Sequence, residues 1–205
     1  MTQHEQPDDS DERRRSIGSR RNPETQEAIL EAAEALLLEG GVAGFSIEAV
    51  ARRARAGKPT IYRWWPNKTA LLLEVYHRQK VAPVHNDTGN IETDVALFLT
   101  HLMAHWGDTG AGQVFRFIVA EAQRDDVAAE ALRRYASERR AQTGKIFRRG
   151  IERGELRGDV DAELAAEILS GFAWQRLLTA RLEISAEEAS QVARQMVRGL
   201  LAPGR

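Results

Sequence analysis

Apolar residues recur at three- and four-residue spacing through most of the chain after residue 22, the signature of amphipathic helices. Asn22-Pro23-Glu24 reads as a helix start, with a capping side chain, proline in the first turn and a carboxylate near the positive end of the dipole. Behind it Ile29, Ala32, Ala33, Leu36 and Leu37 form one apolar face, and Gly40-Gly41 stops the helix. Phe45 offers an apolar anchor, and Ser46 can cap a second helix carrying Ile47, Val50, Ala51 and Ala54. Arg55-Ala56-Gly57 forms a turn, after which Lys58-Pro59 opens a third helix. Pro66-Asn67-Lys68 ends that helix and caps a fourth, running through Leu71, Leu72, Val75 and Tyr76.

Val81 to Asn90 reads as a loop. Helical patterns follow at about 91–106, 112–124, 126–153, 161–182 and 185–201. Gly107 to Gly112 is the expected flexible joint, and Ser185 with Glu188 makes a capping box for the last helix. The expected fold is all-α. A charged tail over 1–21 precedes a three-helix, helix-turn-helix unit over 22–68 and a C-terminal helical bundle over 69–205.

The third helix separates into faces. Ile61 and Trp65, four apart, should enter a small core, while Lys58 and Tyr62 share a second face and Thr60, Arg63 and Trp64 a third. About eight residues at ~1.5 Å each give a rod of roughly 12 Å, suited to the major groove of DNA. Arg63 can make the bidentate contact to guanine, and Lys58, Thr60 and Tyr62 can donate to phosphates. Trp64 can cover sugar-phosphate or belong partly to the core. Lys68, at the start of the fourth helix, strengthens a natural phosphate site.

Charge supports this reading through its distribution, since the formal net charge is only −1. Between Ser46 and Lys80 stand Arg52, Arg53, Arg55, Lys58, Arg63, Lys68, Arg78 and Lys80, against Glu48 and Glu74 alone. The tail holds Asp8, Asp9, Asp11 and Glu12, then Arg13, Arg14, Arg15, Arg20 and Arg21; it reads as a disordered, solvated segment or as a basic arm touching DNA. There is no cysteine, which excludes disulfides, thiolate metal sites and cysteine nucleophiles. No apolar run approaches the ~20 residues of a membrane span, so a cytoplasmic protein is expected.

At these residues the sequence resembles the TetR/AcrR family of one-component bacterial transcription regulators. The resemblance rests on Ile47-Glu48-Ala49-Val50-Ala51 and on Thr60 to Lys68, where helix phase, tyrosine, the aromatic before proline and the cap with its lysine match together. It implies a helical homodimer with an N-terminal DNA-binding unit and a C-terminal unit that dimerises and binds a small ligand. Carried over, it puts Ser46, Lys58, Thr60, Tyr62, Trp64 and Lys68 on phosphates and Arg63 on a base. Gly57 stands where the family often has a capping serine or threonine, and Trp64 where histidine or tyrosine is common.

The last two helices fit an interface. Leu164, Ile168 and Phe172 on one and Val192, Met196 and Leu200 on the other would pack as a two-fold four-helix bundle, with Gly171 allowing close approach. Phe98, Leu102, Trp106, Phe115, Phe117, Ile118, Phe147, Phe172 and Trp174 line an apolar interior that is either plain core or a ligand pocket. His101 and His105 have metal-ligand spacing but lack the adjoining glutamate and an acidic third ligand, so neither a metal nor another cofactor is expected. The expected function is a ligand-responsive regulator, most simply a repressor that holds a palindromic double-stranded operator as a homodimer until a small apolar effector binds. A helical-bundle enzyme is the competing class, but no nucleophile elbow, phosphate-cradling glycine loop or thiol is present. An effector-independent regulator is the third.

Overall fold

The computed structural model describes residues 23–79 and 87–199. The described residues form nine α-helices: α1 (Pro23–Gly40), α2 (Ile47–Ala54), α3 (Lys58–Trp64), α4 (Lys68–Gln79), α5 (Ile91–Asp108), α6 (Ala111–Glu121), α7 (Asp126–Glu152), α8 (Ala162–Leu178) and α9 (Ala186–Arg198). The tail over 1–21, Lys80 and most of the loop from Val81 lie outside them.

Short polar side chains start most of these helices by accepting a first-turn N–H. Ser46 takes that of Ala49 at 3.1 Å, Asn67 that of Ala70 at 2.8 Å, Asn90 that of Thr93 at 2.9 Å and Asp125 that of Ala128 at 2.6 Å. Each such cap contributes about 1 kcal/mol.

Two apolar clusters hold the helices together. One runs from Ile29, Ala33, Val50, Ile61 and Trp65 through α4 into Met103, Trp106, Phe115, Ile118, Tyr135 and Leu177. The other joins Ile91, Val95, Leu99, Ile146, Phe147, Leu169 and Val197 at the far end of α5, α7, α8 and α9. Leu71, Leu72, Leu73, Val75 and Tyr76 are all buried, so α4 is covered around most of its circumference and belongs to the helices before and after it alike.

The stretch from Gly107 to Gly112 is a tight corner instead of a joint. α5 continues through Asp108 and α6 starts at Ala111, leaving two residues between them. Gly112 is there because α6 crosses the end of α5 too closely for a side chain: a Cβ would lie 2.4 Å from the Trp106 carbonyl oxygen. α8 also ends earlier than its apolar pattern suggests, with Ala180 in the left-handed region at φ 57°. Arg176, 3% exposed, holds the connection that follows: Nε donates to the Arg181 carbonyl at 2.9 Å, Nη2 to the Glu183 carbonyl, and Nη1 to the Glu188 carboxylate at 2.7 Å. Glu188 is thereby drawn to Arg176, and of the expected capping box this structure shows the bond from its own N–H to Ser185 Oγ at 3.0 Å. Arg176→Ala would strand these acceptors, and urea unfolding should register a loss of about 2 kcal/mol.

Candidate nucleic-acid interface

α2 and α3 are locked together by Ile47, Val50, Ile61 and Trp65, all buried against Phe45 and α1, as the helical spacing predicts. This fixes which face of α3 remains open. Tyr62, 47% exposed, Lys58 and Arg63 lie on that face, with Thr60 and Trp64 half-buried at its margins. Trp64 sets its ring edge-on against buried Trp65, centroids 5.8 Å apart, and the Arg63 guanidinium lies 5.7 Å over the Trp64 ring. An arginine braced on an indole loses less freedom when it meets a base.

The basic patch is partly neutralised from within. Arg53 forms a two-pronged pair with Glu39 at 2.6 and 2.7 Å, which holds the carboxyl below its ordinary pKa and the guanidinium above its own. Arg78 pairs with Glu27 and, at 3.0 Å, with Glu34, fastening α4 to α1. Lys58 Nζ donates to Glu48 at 3.2 Å across the two helix starts, in an exposed pair of little energetic weight. Arg52 and Arg55 are exposed.

The turn falls at Arg55 to Gly57, as the sequence reading has it. Gly57 has φ −69° and ψ 138°, an ordinary extended conformation, and caps α3 without a side chain. The left-handed position belongs to Arg55, at φ 52° and ψ 35°, where its N–H closes α2. A side chain in that region costs about 1 kcal/mol that glycine does not incur. Glycine's greater unfolded-state freedom offsets part of this relief, so Arg55→Gly should raise stability by about 0.5 kcal/mol in urea unfolding.

Lys68 and Asn67 link the reading helices to the bundle. Lys68 Nζ lies between two rings, 5.6 Å from the Phe45 centroid and 4.7 Å from that of Phe117 on α6. Burial lowers its pKa, opposed by the Glu121 carboxylate. Asn67, while capping α4, also donates from Nδ2 to Asp125, the cap of α7, at 3.3 Å. The links to Phe117 and Asp125 escape sequence reading because they join residues about fifty apart or more through side-chain geometry alone.

Comparison with known proteins agrees with this arrangement. Residues 29–75 match the model for bacterial regulatory proteins of the tetR family, and residues 85–196 the tetracyclin repressor-like C-terminal domain. The chain belongs to the TetR family. Among this family's regulators it is 34% identical over 171 residues to the uncharacterized HTH-type transcriptional regulator YdeS of Bacillus subtilis, spanning 82% of this chain and 85% of that one. It is 27% identical over 153 residues to the DNA-binding transcriptional repressor TetR of Mycobacteroides abscessus, spanning 73% and 80%. The crystal structure of the TetR family transcription regulator SCO0332 superposes with a TM-score of 0.75 at 28% identity, covering 87% of this chain and all of that one (100%). The protein is thus a TetR-family transcriptional regulator and no member of an enzyme family. Among the described residues no helix is long and apolar enough to cross a membrane.

In the C-terminal part of this TetR-family chain the nine candidate pocket residues divide. Leu102, Trp106, Phe115, Phe117, Ile118 and Trp174 join the first cluster, whereas Phe98, Phe147 and Phe172 join the second. The first cluster also holds Tyr76 and Tyr135, which the sequence reading left out. Tyr76 stacks on Phe115 at 5.0 Å, accepts a hydrogen bond from Trp106 Nε1 at 2.7 Å, and has its pKa pushed up to about 12 by burial. Of the candidate interface residues, Leu164 and Ile168 are 54% and 57% exposed, and Phe172, Val192 and Met196 are half-buried against the second cluster. Leu200 lies outside the described residues. A Cβ added at Gly171 would meet nothing within 4 Å among the described residues, so no packing within them requires glycine there. Among the described residues no group of three or more potential ligands gathers around His101 and His105, and the His105 ring packs 5.9 Å from that of Tyr76.

Proposed function

We propose that the protein is a cytoplasmic, ligand-responsive repressor that binds a palindromic operator as a homodimer. The observation that carries this reading is the two-sidedness of α3, with Ile61 and Trp65 sealed in the core while Tyr62 and Arg63 stand open. Residues 22–68 would form the DNA-binding unit and residues 69–205 the effector and dimer unit. Arg63 reads a base; Lys58, Thr60, Tyr62 and Trp64 hold phosphates. Ser46 contributes from the start of α2, its Oγ also serving as cap. Lys68 contributes once DNA draws its ammonium from Phe117. Exposed Leu164 and Ile168, with Phe172, Val192 and Met196, support a two-fold α8–α9 interface that sets the two α3 helices about 34–36 Å apart. A relative that is itself a DNA-binding transcriptional repressor supports the sign of regulation. The effector would bind among α4 to α8, around Leu102, Trp106, Phe115, Ile118 and Trp174, and favour a bundle arrangement in which the two α3 helices leave register.

A gel-shift assay on DNA flanking the coding region tests this. Arg63→Ala should relax base preference by about 1–3 kcal/mol, whereas Lys58→Ala should weaken all sequences alike and lower the salt slope by about one. Equal losses on cognate and scrambled DNA for both variants would remove Arg63 from base reading.

A further inference from the structure

The inward stripe of α7 is apolar or small at Leu132, Tyr135, Thr143, Ile146, Phe147 and Gly150, all buried. Arg139 occupies the same stripe, four residues after Tyr135 and four before Thr143, and is itself largely covered. The other half-buried arginines of this helix each face a carboxylate: Arg140 meets Glu163 and Glu167, Arg148 meets Glu163, and Arg149 meets Asp87. Arg139 meets none among the described residues, and its Nε is shut off from solvent with no acceptor. A guanidinium so placed has given up part of its hydration without gaining a counter-charge.

Its surroundings are flat and aromatic. The Arg139 Cζ lies 5.9 Å from the Tyr135 ring centroid, and the Tyr135 ring meets that of Tyr76 edge-on with centroids 5.8 Å apart. Beyond Tyr76, Phe115 stacks on Trp106 at 5.9 Å and meets Trp174 edge-on at 5.3 Å. Neighbouring Glu138 is exposed and turned toward His77, 4.0 Å away.

We propose that the effector is a small aromatic carboxylate, its carboxylate taken by Arg139 and its ring by the Tyr76–Phe115–Trp106 aromatic group. This rests on the ligand-responsive reading above and adds the ligand's chemical class. A carboxylate matches the guanidinium fork with two parallel hydrogen bonds, and its one negative charge balances that of Arg139; a phosphate dianion would remain under-compensated. The binding groups sit on α4 (Tyr76), α5 (Trp106), α6 (Phe115) and α7 (Arg139), and the starts of α4 and α7 are joined by the Asn67–Asp125 bond, so a ligand drawn in among them acts on the helix that begins at Lys68.

Calorimetric titration of the full-length protein with 2-naphthoate and phenylacetate, each against its neutral primary amide, tests the proposal. The acids should bind about 10- to 100-fold more tightly than the amides. Arg139→Gln should abolish that preference, and Arg139→Lys should retain part of it. The comparison within the native protein needs no variant to fold. Equal binding of acid and amide, a preference that survives Arg139→Gln, or binding of neither acid overturns the proposal. A gel shift run with the same compounds separates the two readings: release of operator by the amides as readily as by the acids keeps the ligand-responsive regulator and discards the anionic effector.

Discussion

Glutamate at both Leu164 and Ile168 is expected to leave the protein monomeric and to lower its affinity for a palindromic operator by about 10²- to 10⁴-fold, the advantage that linking two modest binding units provides. Both side chains are more than half exposed on one face of α8, an unusual cost for leucine and isoleucine unless another surface covers them. Apposed carboxylates across a two-fold axis would repel where apolar groups should pack, while each chain's own core, built from Ala165, Ala166, Leu169 and Ala173 on the opposite face, stays intact. Sedimentation velocity measures the mass, a gel shift the affinity, and circular dichroism confirms that the helices persist. A variant that still sediments as a dimer would move the interface elsewhere.

Valine at Gly112 should cost about 3 kcal/mol or more, read as a lowered urea midpoint. The Cβ alone would sit 2.4 Å from the Trp106 carbonyl oxygen and 3.2 Å from the Trp106 Cβ, and backbone cannot yield as a flexible side-chain tip would. Relief requires α6 to lift from the end of α5, which breaks the stacking of Trp106 on Phe115 and disturbs the Trp106–Tyr76 hydrogen bond. Gly110, two positions earlier, has nothing within 4 Å of an added Cβ, so Gly110→Ala provides the matched control and should change stability little.

The contrast between these glycines shows where sequence legibility ends. Helix phase was readable because it depends on local periodicity: Ile29, Val50, Ile61 and Trp65 all fall inward as their spacing requires. The Gly107–Gly112 stretch misleads because the same residue type serves freedom in a turn and closeness in a crossing, and only the position of α5 against α6 separates them. Arg55 hides for a related reason, since its side chain gives no hint that its backbone holds the conformation glycine prefers, while nearby Gly57 has no need of it. In the candidate interface, residue types and faces were legible on α3. The pairing of Arg53 with Glu39 and the seating of Lys68 between Phe45 and Phe117 depend on how distant segments meet. The aromatic interior was legible only as a composition, and its division into two clusters follows from helix crossings that no spacing encodes.

The enclosure of α4 has a consequence for engineering. A head cut after Lys68 would forfeit Leu71, Leu72, Val75 and Tyr76, and with them much of the packing under α1. A graft that keeps α4 but changes the body would leave Tyr76 without Trp106 and Phe115, and Asn67 without Asp125. Transplanting this operator preference onto a foreign sensor is therefore better done by exchanging the open side chains of α3 than by splicing whole segments.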